Sequence, residues 1–240
     1  MEKGLVVITG ASSGIGKKTA ELFSIEGYPL LLIGRRVEQI EALNLPNSIA
    51  VKGDVTDLLS FERAIEKGEK EFGPVQTLIN NAGIMLLGDV AFQNPDEWKK
   101  MYDVNVLGVL HGIHLVLHKM INRKEGTIIN ISSIAGRKTF PNHAAYCGTK
   151  FAVHALTENI REEVAKDNVR LITIAPGAVE TELLSHTTSE EIKEGYEHWK
   201  KEIGGALSPE TIADAIFFAA KQPQSVCVRE IVIAATTQGS

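Results

Sequence analysis

Short apolar runs alternate with longer stretches of helical periodicity along the whole chain, and this alternation restricts the fold more than any other feature. Short apolar runs of this kind are typical of strands that are buried on both faces of a sheet. The runs are 5–9, 29–33, 48–52, 76–80, 126–132, 169–175 and 229–234. Because strand and helix alternate, the sequence predicts an α/β fold, a doubly wound parallel sheet with helices on both faces and right-handed crossovers.

The chain has 240 residues, of which 44% are hydrophobic and 23% charged, and these values are typical of a globular protein rather than a disordered one. Since no linker, repeat or low-complexity tract interrupts it, we expect one domain over residues 1–240. The net charge of −5 and the dispersed Lys and Arg argue against nucleic acid or an anionic membrane as partner. We therefore expect a small-molecule partner.

Nothing near the N-terminus has the length of a secretory apolar segment, and no run approaches the ~18 apolar residues of a membrane span. These observations predict a cytoplasmic protein without a membrane anchor. The two cysteines, Cys147 and Cys227, show no paired spacing, so neither a disulfide framework nor a zinc knuckle is expected.

The first strand runs into a glycine-rich turn, TGASSGIG at residues 9–16, followed by a helical pattern. Glycines at 10, 14 and 16 would let the backbone approach a pyrophosphate and direct helix N-terminal amides at it. The spacing is GxxxGxG rather than GxGxxG, and a plain strand-to-helix turn also needs glycine. Its position after a strand favours phosphate binding.

Two arginines, Arg35 and Arg36, end the second strand, and the first lies nineteen residues beyond Gly16. A dinucleotide fold places an acid at this offset to bind a ribose 2′-hydroxyl. Guanidinium groups instead suit a 2′-phosphate, so the pair favours NADP(H) over NAD(H). The alternative is a pair of solvated arginines at the start of a helix.

Two further loops follow predicted strands. Asp54 comes at the carboxyl end of the third strand and would face the crevice where ligands of open α/β sheets bind. The fourth strand ends in Asn80-Asn81-Ala82-Gly83, a turn whose small residues would let a cofactor ribose lie close to the backbone.

The stretch 128–150 carries the strongest candidates for chemistry. Ser133 lies thirteen residues before Tyr146, and Lys150 lies four residues after it. On a helix this spacing of four puts the phenol and the ammonium on one face. A nearby cation favours the phenolate, so Lys150 would shift the pKa of Tyr146 toward neutral pH and suit it to proton transfer. The alternative is a surface helix that carries Tyr and Lys by chance.

A long helix is predicted after Asn94, with Asn105 near its middle and three histidines, His111, His114 and His118, on one face. Three imidazoles could hold zinc, but the same face carries several leucines, so we expect structural histidines and no metal site. Asn105, between two valines, is expected to be buried, and its amide would then need a backbone or water partner.

Beyond the sixth strand a long segment precedes the last helix, and Ile192, Tyr196, Trp199 and Ile203 share one helical face of it. Such a stripe can simply pack against the core. Because the segment follows a strand at the carboxyl edge of the sheet, we expect residues 188–205 to form a lid over the substrate.

Taken together, these motifs resemble the short-chain dehydrogenase/reductase family over nearly the full length of the chain. TGASSGIG at 9–16, NNAG at 80–83, Asn105, the Ser133-Tyr146-Lys150 set and PGAVET at 176–181 occur in the family's order. GRR at 34–36 and the C-terminal IVIAATTQ are similar to the NADP-preferring branch with bacterial carbonyl and 3-hydroxy-acid (serine-type) reductases. The resemblance implies a Rossmann sheet of seven strands and a homotetramer assembled through the helices of Asn105 and Tyr146.

The resemblance also implies a function, reversible hydride transfer between NADP(H) and a carbonyl/alcohol pair. Tyr146 would act as general acid/base, Lys150 would lower its pKa and bind the nicotinamide ribose, and Asn105 would anchor a water relay to Lys150. Ser133, selected over Ser132 by its spacing to Tyr146, would hold the substrate oxygen. The implied cofactor-binding residues are Gly10, Ser12, Ser13, Gly14, Ile15, Gly16, Arg35, Arg36, Asp54, Val55, Asn81, Ala82, Gly83, Tyr146, Lys150, Pro176, Gly177, Val179 and Thr181.

Two other functions remain open. A non-catalytic NADP(H) sensor or scaffold would keep the fold but would not need Ser133, Tyr146 and Lys150 together. An enoyl reductase would show six residues between tyrosine and lysine, where this chain has three. The residues by themselves do not predict the substrate, the stereochemistry, the direction of the reaction or the choice of dimer or tetramer.

The substrate pocket is expected to take its walls from residues 135–143, 177–186 and 188–203. The candidate side chains are Arg137, His143, Leu183, Leu184 and Trp199. Arg137 could bind a carboxylate or could be solvated.

Overall fold

A computed structural model of the protein describes residues 3–239 and contains one sheet of seven strands, all paired in parallel. The strands are β1 (Leu5–Thr9), β2 (Leu30–Gly34), β3 (Ser48–Lys52), β4 (Val75–Asn80), β5 (Gly126–Ile131), β6 (Val169–Pro176) and β7 (Glu230–Ile233). Their spatial order is β3-β2-β1-β4-β5-β6-β7. The predicted seven-stranded, doubly wound parallel sheet of Rossmann type is confirmed.

Eight α-helices connect and extend these strands within residues 3–239. They are α1 (Gly14–Ile25), α2 (Val37–Glu41), α3 (Leu58–Phe72), α4 (Pro95–Tyr102), α5 (Gly108–Arg123), α6 (Ala144–Val164), α7 (Glu190–Glu202) and α8 (Pro209–Ala220). Short polar side chains cap several of them. The Asp57 carboxylate accepts a hydrogen bond from Ser60 N (3.2 Å) at the start of α3, and Asn94 accepts one from Asp96 N (3.0 Å) at α4.

Each face of the sheet has its own hydrophobic core. Successive side chains of a strand point to opposite faces, so Leu5 and Val7 of β1 pack with α3, α5 and α6. Val6 and Ile8 of the same strand pack with α1, α2 and α8 on the other side. The near-continuous apolar runs in the sequence therefore reflect a strand that is covered on both faces.

The edge strands depart from the predicted burial on both faces. Every residue of β1 and β2 is buried, whereas β3 is half-buried to exposed and β7 alternates between exposed and half-buried residues. An edge strand has a neighbour on one side only, and the helical layers do not extend over it fully. A short apolar run alone does not distinguish an edge strand from a central one.

Helices α4 and α5 form one continuous helix, because a π-helical turn at Asp103–Leu107 joins them. By length and composition the helix Pro95–Arg123 could cross a membrane. In this fold, however, its residues Val109, Ile113, Val116 and Met120 pack into the core beside β4 and β5. The helix also places His111 against the backbone of Val55, where Nδ1 lies 2.8 Å from the carbonyl oxygen.

The carboxyl ends of all strands meet at one edge of the sheet. The strand order reverses direction between β1 and β4, and the loops after these two strands separate there to leave a crevice. The glycine-rich turn follows β1, the loop 81–87 follows β4, and the loop with Ser133 follows β5. This edge is therefore where the predicted site residues can meet.

Candidate active site

The glycine-rich turn after β1 takes a backbone path that needs glycine. Gly10 and Gly14 have positive φ angles of 67° and 52°. A Cβ on Gly16 would lie 2.3 Å from the carbonyl oxygen of Gly10, so only glycine permits this close approach. The side chain of Ser13, the N-cap of α1, does not cap the first turn, and the amides of this turn therefore stay available to a phosphate.

Asn81 holds the turn against the end of β4. Its Nδ2 donates to the carbonyl oxygens of Thr9 (2.9 Å) and Gly10 (3.2 Å). In return, the backbone amides of Asn81 and Ala82 both donate to the Thr9 hydroxyl at 3.0 Å. The side chain of Asn81, one of the implied cofactor-binding residues, is thus occupied in shaping the floor of the cleft.

Arg36 closes the cleft above the glycine-rich turn. Its Nη2 donates to the hydroxyls of Ser12 (3.1 Å) and Ser13 (2.8 Å), and its Nη1 pairs with Glu182 at 2.9 Å. The guanidinium beside it holds the pKa of the Glu182 carboxyl below its usual range. The neighbouring Arg35 is exposed and lines the same end of the cleft. Both arginines are therefore placed beside the glycine-rich turn, as their offset from Gly16 indicated.

At the other end of the cleft, α6 carries Tyr146 and Lys150 on one buried face. Only 5% of Tyr146 and 6% of Lys150 is exposed, so the pair is far from being a solvated surface feature. Lys150 Nζ lies 5.6 Å from the centroid of the Tyr146 ring and donates to the carbonyl oxygen of Ile131 at 3.0 Å. Ser133, at the end of β5, lines the same region of the cleft.

Burial dominates the acid–base properties of this pair. It raises the pKa of the Tyr146 phenol above 10.0, Tyr196 raises that pKa further, and the Ser133 hydroxyl acts in the opposite direction. Burial also lowers the pKa of Lys150 from 10.5 to about 8. The pKa of Tyr146 is therefore shifted away from neutral pH and not toward it as expected, because burial is the largest cause and Lys150 is not among the causes.

Ser132 and Ser133 are adjacent but face different surroundings. The Ser132 hydroxyl donates to the carbonyl oxygen of Lys150 (3.1 Å) and lies 2.8 Å from Nδ1 of His154. The Ser133 hydroxyl accepts from Ala135 N at 3.1 Å and donates weakly to Pro176 O at 3.4 Å. Ser132 thus anchors α6 to β5, whereas Ser133 lines the cleft and would have to give up only its weak bond to Pro176 O to donate to a bound ligand.

Asn105 sits in the π-helical turn behind the cleft wall and is 1% exposed. Its side chain exchanges two hydrogen bonds with Ile84, accepting from N and donating to O at 2.9 Å each, and also donates to Thr149 at 3.2 Å. The buried amide therefore has backbone partners, and backbone or water partners were what its expected burial required. It fixes the loop after β4 against α6.

The predicted residues converge on one cleft of about 790 Å³. All of the implied cofactor-binding and catalytic residues line it except Gly16 and Asn105, which support its wall from behind. Segments 135–143, 177–186 and 188–203 contribute walls as expected, with His143, Leu183, Leu184 and Trp199 among the lining residues. Arg137 lies outside the cleft and pairs with Glu230 at 2.8 Å, so it is not available to a substrate carboxylate there.

Some lining residues were not anticipated. Met85 and Leu87 come from the loop after β4, and Gln238 comes from the C-terminal tail. Gln238 is 8% exposed; its Oε1 accepts from Ala178 N at 3.1 Å, while its Nε2 is buried without a partner among residues 3–239. A single glutamine in an irregular tail belongs to no periodic pattern, so the sequence does not reveal its place in the cleft. For Met85 and Leu87, the apolar run IMLL at 84–87 is a sequence signal that could have indicated a buried wall.

Fold and cleft together define an α/β protein of the nucleotide-binding type, with its site at the switch point of the sheet. A family model described as short chain dehydrogenase matches residues 4–192. An uncharacterized oxidoreductase of Staphylococcus saprophyticus is 41% identical over 98% of this chain and 96% of its own. The chain therefore belongs to the short-chain dehydrogenase family and is an oxidoreductase of that family.

Solved structures agree with this assignment. The closed form of a serine dehydrogenase in complex with NADP+ superposes with a TM-score of 0.92 at 26% identity, covering 98% of this chain and 96% of its own. An alcohol dehydrogenase from the archaeon Thermococcus sibiricus, in complex with 5-hydroxy-NADP, has a TM-score of 0.86 at 27% identity, covering 99% and 98%. These neighbours contain an NADP-type cofactor.

Proposed function

We propose that this protein is an NADP(H)-dependent oxidoreductase that interconverts a carbonyl and a secondary alcohol, with Tyr146 as general acid/base. The observation that carries the proposal is the buried pair of Tyr146 and Lys150 at one end of a cleft whose other end is the glycine-rich turn. A phenol and an ammonium are costly to bury, and such perturbed groups in a cleft are typical of catalytic sites.

The cleft fits NADP(H) by its chemistry. Open N-terminal amides of α1 and the glycines at 10 and 14 suit a pyrophosphate, and Arg35 and Arg36 suit a 2′-phosphate. Residues 176–179 and Thr181 line the cleft, and they would hold the nicotinamide side near Ser133. Arg36 would exchange its bond to Glu182 for one to the phosphate, which offers more charge and more acceptor oxygens.

When bound, NADPH supplies a hydride, with its electron pair, to the carbonyl carbon. Tyr146 donates its phenolic proton to the carbonyl oxygen, so that the carbonyl becomes an alcohol, and the Ser133 hydroxyl donates a hydrogen bond that holds the same oxygen. Lys150, protonated below a pKa of about 8, stabilises the phenolate that forms and restores its proton. The reverse sequence oxidises the alcohol.

Asn105 supports this chemistry as a positioning residue. A Cβ at Gly83 would lie 3.3 Å from Asn105 Oδ1 and 3.9 Å from Lys150 Nζ, so both polar atoms border the space that this glycine leaves open. A water there would connect Lys150 to Asn105 and replenish the proton, in line with the relay that the family resemblance implies.

Further parts of the proposal concern the whole chain. Residues 1–240 form one catalytic domain, residues 188–205 act as the lid over the substrate, and the enzyme works as a homotetramer in the cytoplasm. The lid is supported by the position of α7, from which Ile192, Tyr196 and Trp199 line the cleft.

Replacing Tyr146 by Phe tests the function directly. We expect kcat for NADPH-dependent ketone reduction to fall by about 10²–10⁴-fold, because the general acid is lost while the ring and its packing stay. NADPH affinity, measured by fluorescence titration, should change little. Tyr102→Phe, at a 43% exposed tyrosine of α4, is the matched control. Unchanged turnover in Tyr146→Phe would contradict the assignment, and tight NADPH binding without turnover in the wild type would favour a sensor.

A further inference from the structure

We propose that the substrate of this enzyme is an uncharged carbonyl compound with an apolar, preferably aromatic, body, and that the cleft discriminates against carboxylates. The inference rests on the proposed function and identifies the substrate class of the same site. It departs from the hydroxy-acid reductases to which parts of the sequence are similar.

Aromatic side chains form the wall next to the catalytic tyrosine. The His143 ring lies 6.2 Å from the rings of both Tyr146 and Tyr196, and the Tyr196 ring lies 5.2 Å from that of Trp199, between ring centroids. Phe140 adds a further ring 5.6 Å from His143. These rings come from the start of α6, the loop before it and the lid helix α7, so they surround the reacting end of the cleft. Such a wall offers area and ring faces to a planar apolar group.

Aliphatic side chains also line this end of the cleft. The lining includes Met85 and Leu87 from the loop after β4, Leu183 and Leu184 from the loop after β6, and Ile192 from α7. All five pack in the same apolar cluster as Tyr146 and Tyr196. Closing this surface over a carboxylate would remove water from the charge without returning a compensating group.

The cations that line this end of the cleft are already engaged, and Lys138, whose Nζ lies 5.2 Å from the Phe140 ring centroid, does not line the cleft. Lys150 belongs to the catalytic pair, and Lys200, whose side chain is 12% exposed, pairs with Glu197 (2.9 Å) and Glu180 (3.2 Å). Arg35 and Arg36 lie beside the glycine-rich turn, at the opposite end of the cleft. Arg137, the sequence-based candidate for a carboxylate, is held outside by Glu230.

The two histidines of the lining add no charge at neutral pH. Burial lowers the pKa of His143, although the nearby Pro141 carbonyl oxygen acts in the opposite direction. Burial lowers the pKa of His186 as well, and Arg35 and Arg36 add to the effect. Neutral donors such as Ser133 and Gln238 remain, and these suit a carbonyl or hydroxyl group rather than a full negative charge.

One carboxylate also faces the cleft. Glu191, in the first turn of α7, lines the cavity and has no ion-pair or hydrogen-bond partner among residues 3–239. At the entrance it would repel an approaching anion. The apolar wall, the engaged cations and the negative charge of Glu191 therefore all disfavour the binding of a carboxylate.

A matched series of substrates tests the inference. Acetophenone, para-acetylbenzoate and para-acetylphenyl trimethylammonium share the reacting aryl ketone and carry a neutral, a negative and a positive group at the para position. We expect kcat/KM with NADPH to be at least about tenfold higher for acetophenone than for either charged analogue, because the charge must lose water inside an apolar wall. Equal or better turnover of the carboxylate would overturn the inference, and so would a preference for the cation, which would point to Glu191 as a binding group.

Glu191→Gln tests the contribution of the charge at the entrance. We expect the ratio of kcat/KM for para-acetylbenzoate to that for acetophenone to rise about three- to tenfold, because one repulsive charge is removed. Glu194→Gln, on the exposed side of the same helix and outside the lining, should leave both rates unchanged. The same rise in both variants, or in neither, would refute this role of Glu191.

Different results would refute the proposed function and the proposed substrate class. If no ketone, aldehyde or alcohol in the series and no hydroxy acid such as serine changes NADPH absorbance, the proposed function fails. If hydroxy acids or keto acids are the best substrates and Tyr146→Phe still abolishes their turnover, the function stands and only the substrate class is wrong.

Discussion

At the scale of single residues, the site depends on groups whose burial changes their acid–base behaviour. Lys150 is 6% exposed and keeps one hydrogen bond, to the carbonyl oxygen of Ile131. Burial disfavours its charged form and brings its pKa to about 8, close to the pH at which an enzyme works. The pKa of Tyr146 is raised, because burial favours its protonated form.

The pKa of Lys150 gives a pH dependence with a definite sign. Below a pH of about 8 the ammonium is charged and can support proton donation by Tyr146, and above it the charge is lost. We expect kcat/KM for ketone reduction to fall with a slope of one proton above that pH, in a profile measured with a neutral ketone. In Lys150→Arg this fall in kcat/KM should move above the pH range of the profile, since a guanidinium titrates above ~12. An unchanged inflection in that variant would assign the titration to another group.

Arg36 is the residue with which we test cofactor preference. It already binds an anion, Glu182, and two hydroxyls at the rim of the glycine-rich turn. We expect Arg36→Ala to lower the ratio of kcat/KM for NADPH to that for NADH by about tenfold to a hundredfold, because the variant loses the charge-assisted hydrogen bonds to the 2′-phosphate. Arg63→Ala, at an exposed position of α3, is the control. A wild type that prefers NADH would show that the arginines do not bind a phosphate.

At the scale of elements, the cleft is shaped by connections between loops rather than by the sheet alone. Asn105 ties the loop after β4 to the π-helical turn and to α6. The C-terminal tail connects two other elements of the cleft. Gln238 accepts a hydrogen bond from Ala178 N in the loop after β6, and Thr237 donates one to the carbonyl oxygen of Ile203 at the end of α7. The loop after β6, the helix α7 and the C-terminal tail are thus linked.

Removing the Asn105 side chain should destabilise the fold as well as the site. Asn105→Ala leaves the buried N–H and C=O of Ile84 without partners, so we expect the free energy of unfolding to fall by about 2–4 kcal/mol. Urea denaturation would measure the change. Asn122→Ala, at an exposed position of α5, should change it by no more than about 0.5 kcal/mol. Equal stability of the two variants would show that the Ile84 contacts are dispensable.

At the scale of the whole molecule, the fold could be predicted from the sequence because the strand pattern and the loop motifs are local. Each apolar run became a strand, and the motifs lie at the carboxyl edge as parallel pairing requires. What could not be predicted depends on distant partners. Arg137 is captured by Glu230, Gln238 meets Ala178, and the Tyr146 pKa follows from burial by segments far away in sequence.

The homotetramer stays a prediction at this scale. The helices expected to form its interface, those of Asn105 and Tyr146, carry exposed apolar side chains. Leu107 is 46% exposed, Leu110 37% and Phe151 42%. Side chains of this kind on α5, α6 and the turn before α5 are compatible with burial between subunits. Light scattering of the purified protein would give the number of subunits.

The central claim, hydride transfer to a carbonyl with Tyr146 as proton donor, is tested most directly with NADPH deuterated at both C4 positions. Incubated with acetophenone, the wild type should give an alcohol that carries one deuterium on the carbinol carbon by mass spectrometry, and Tyr146→Phe should give almost none under the same conditions. The account would be contradicted if the alcohol formed without deuterium, or if Tyr146→Phe produced the labelled alcohol at the wild-type rate.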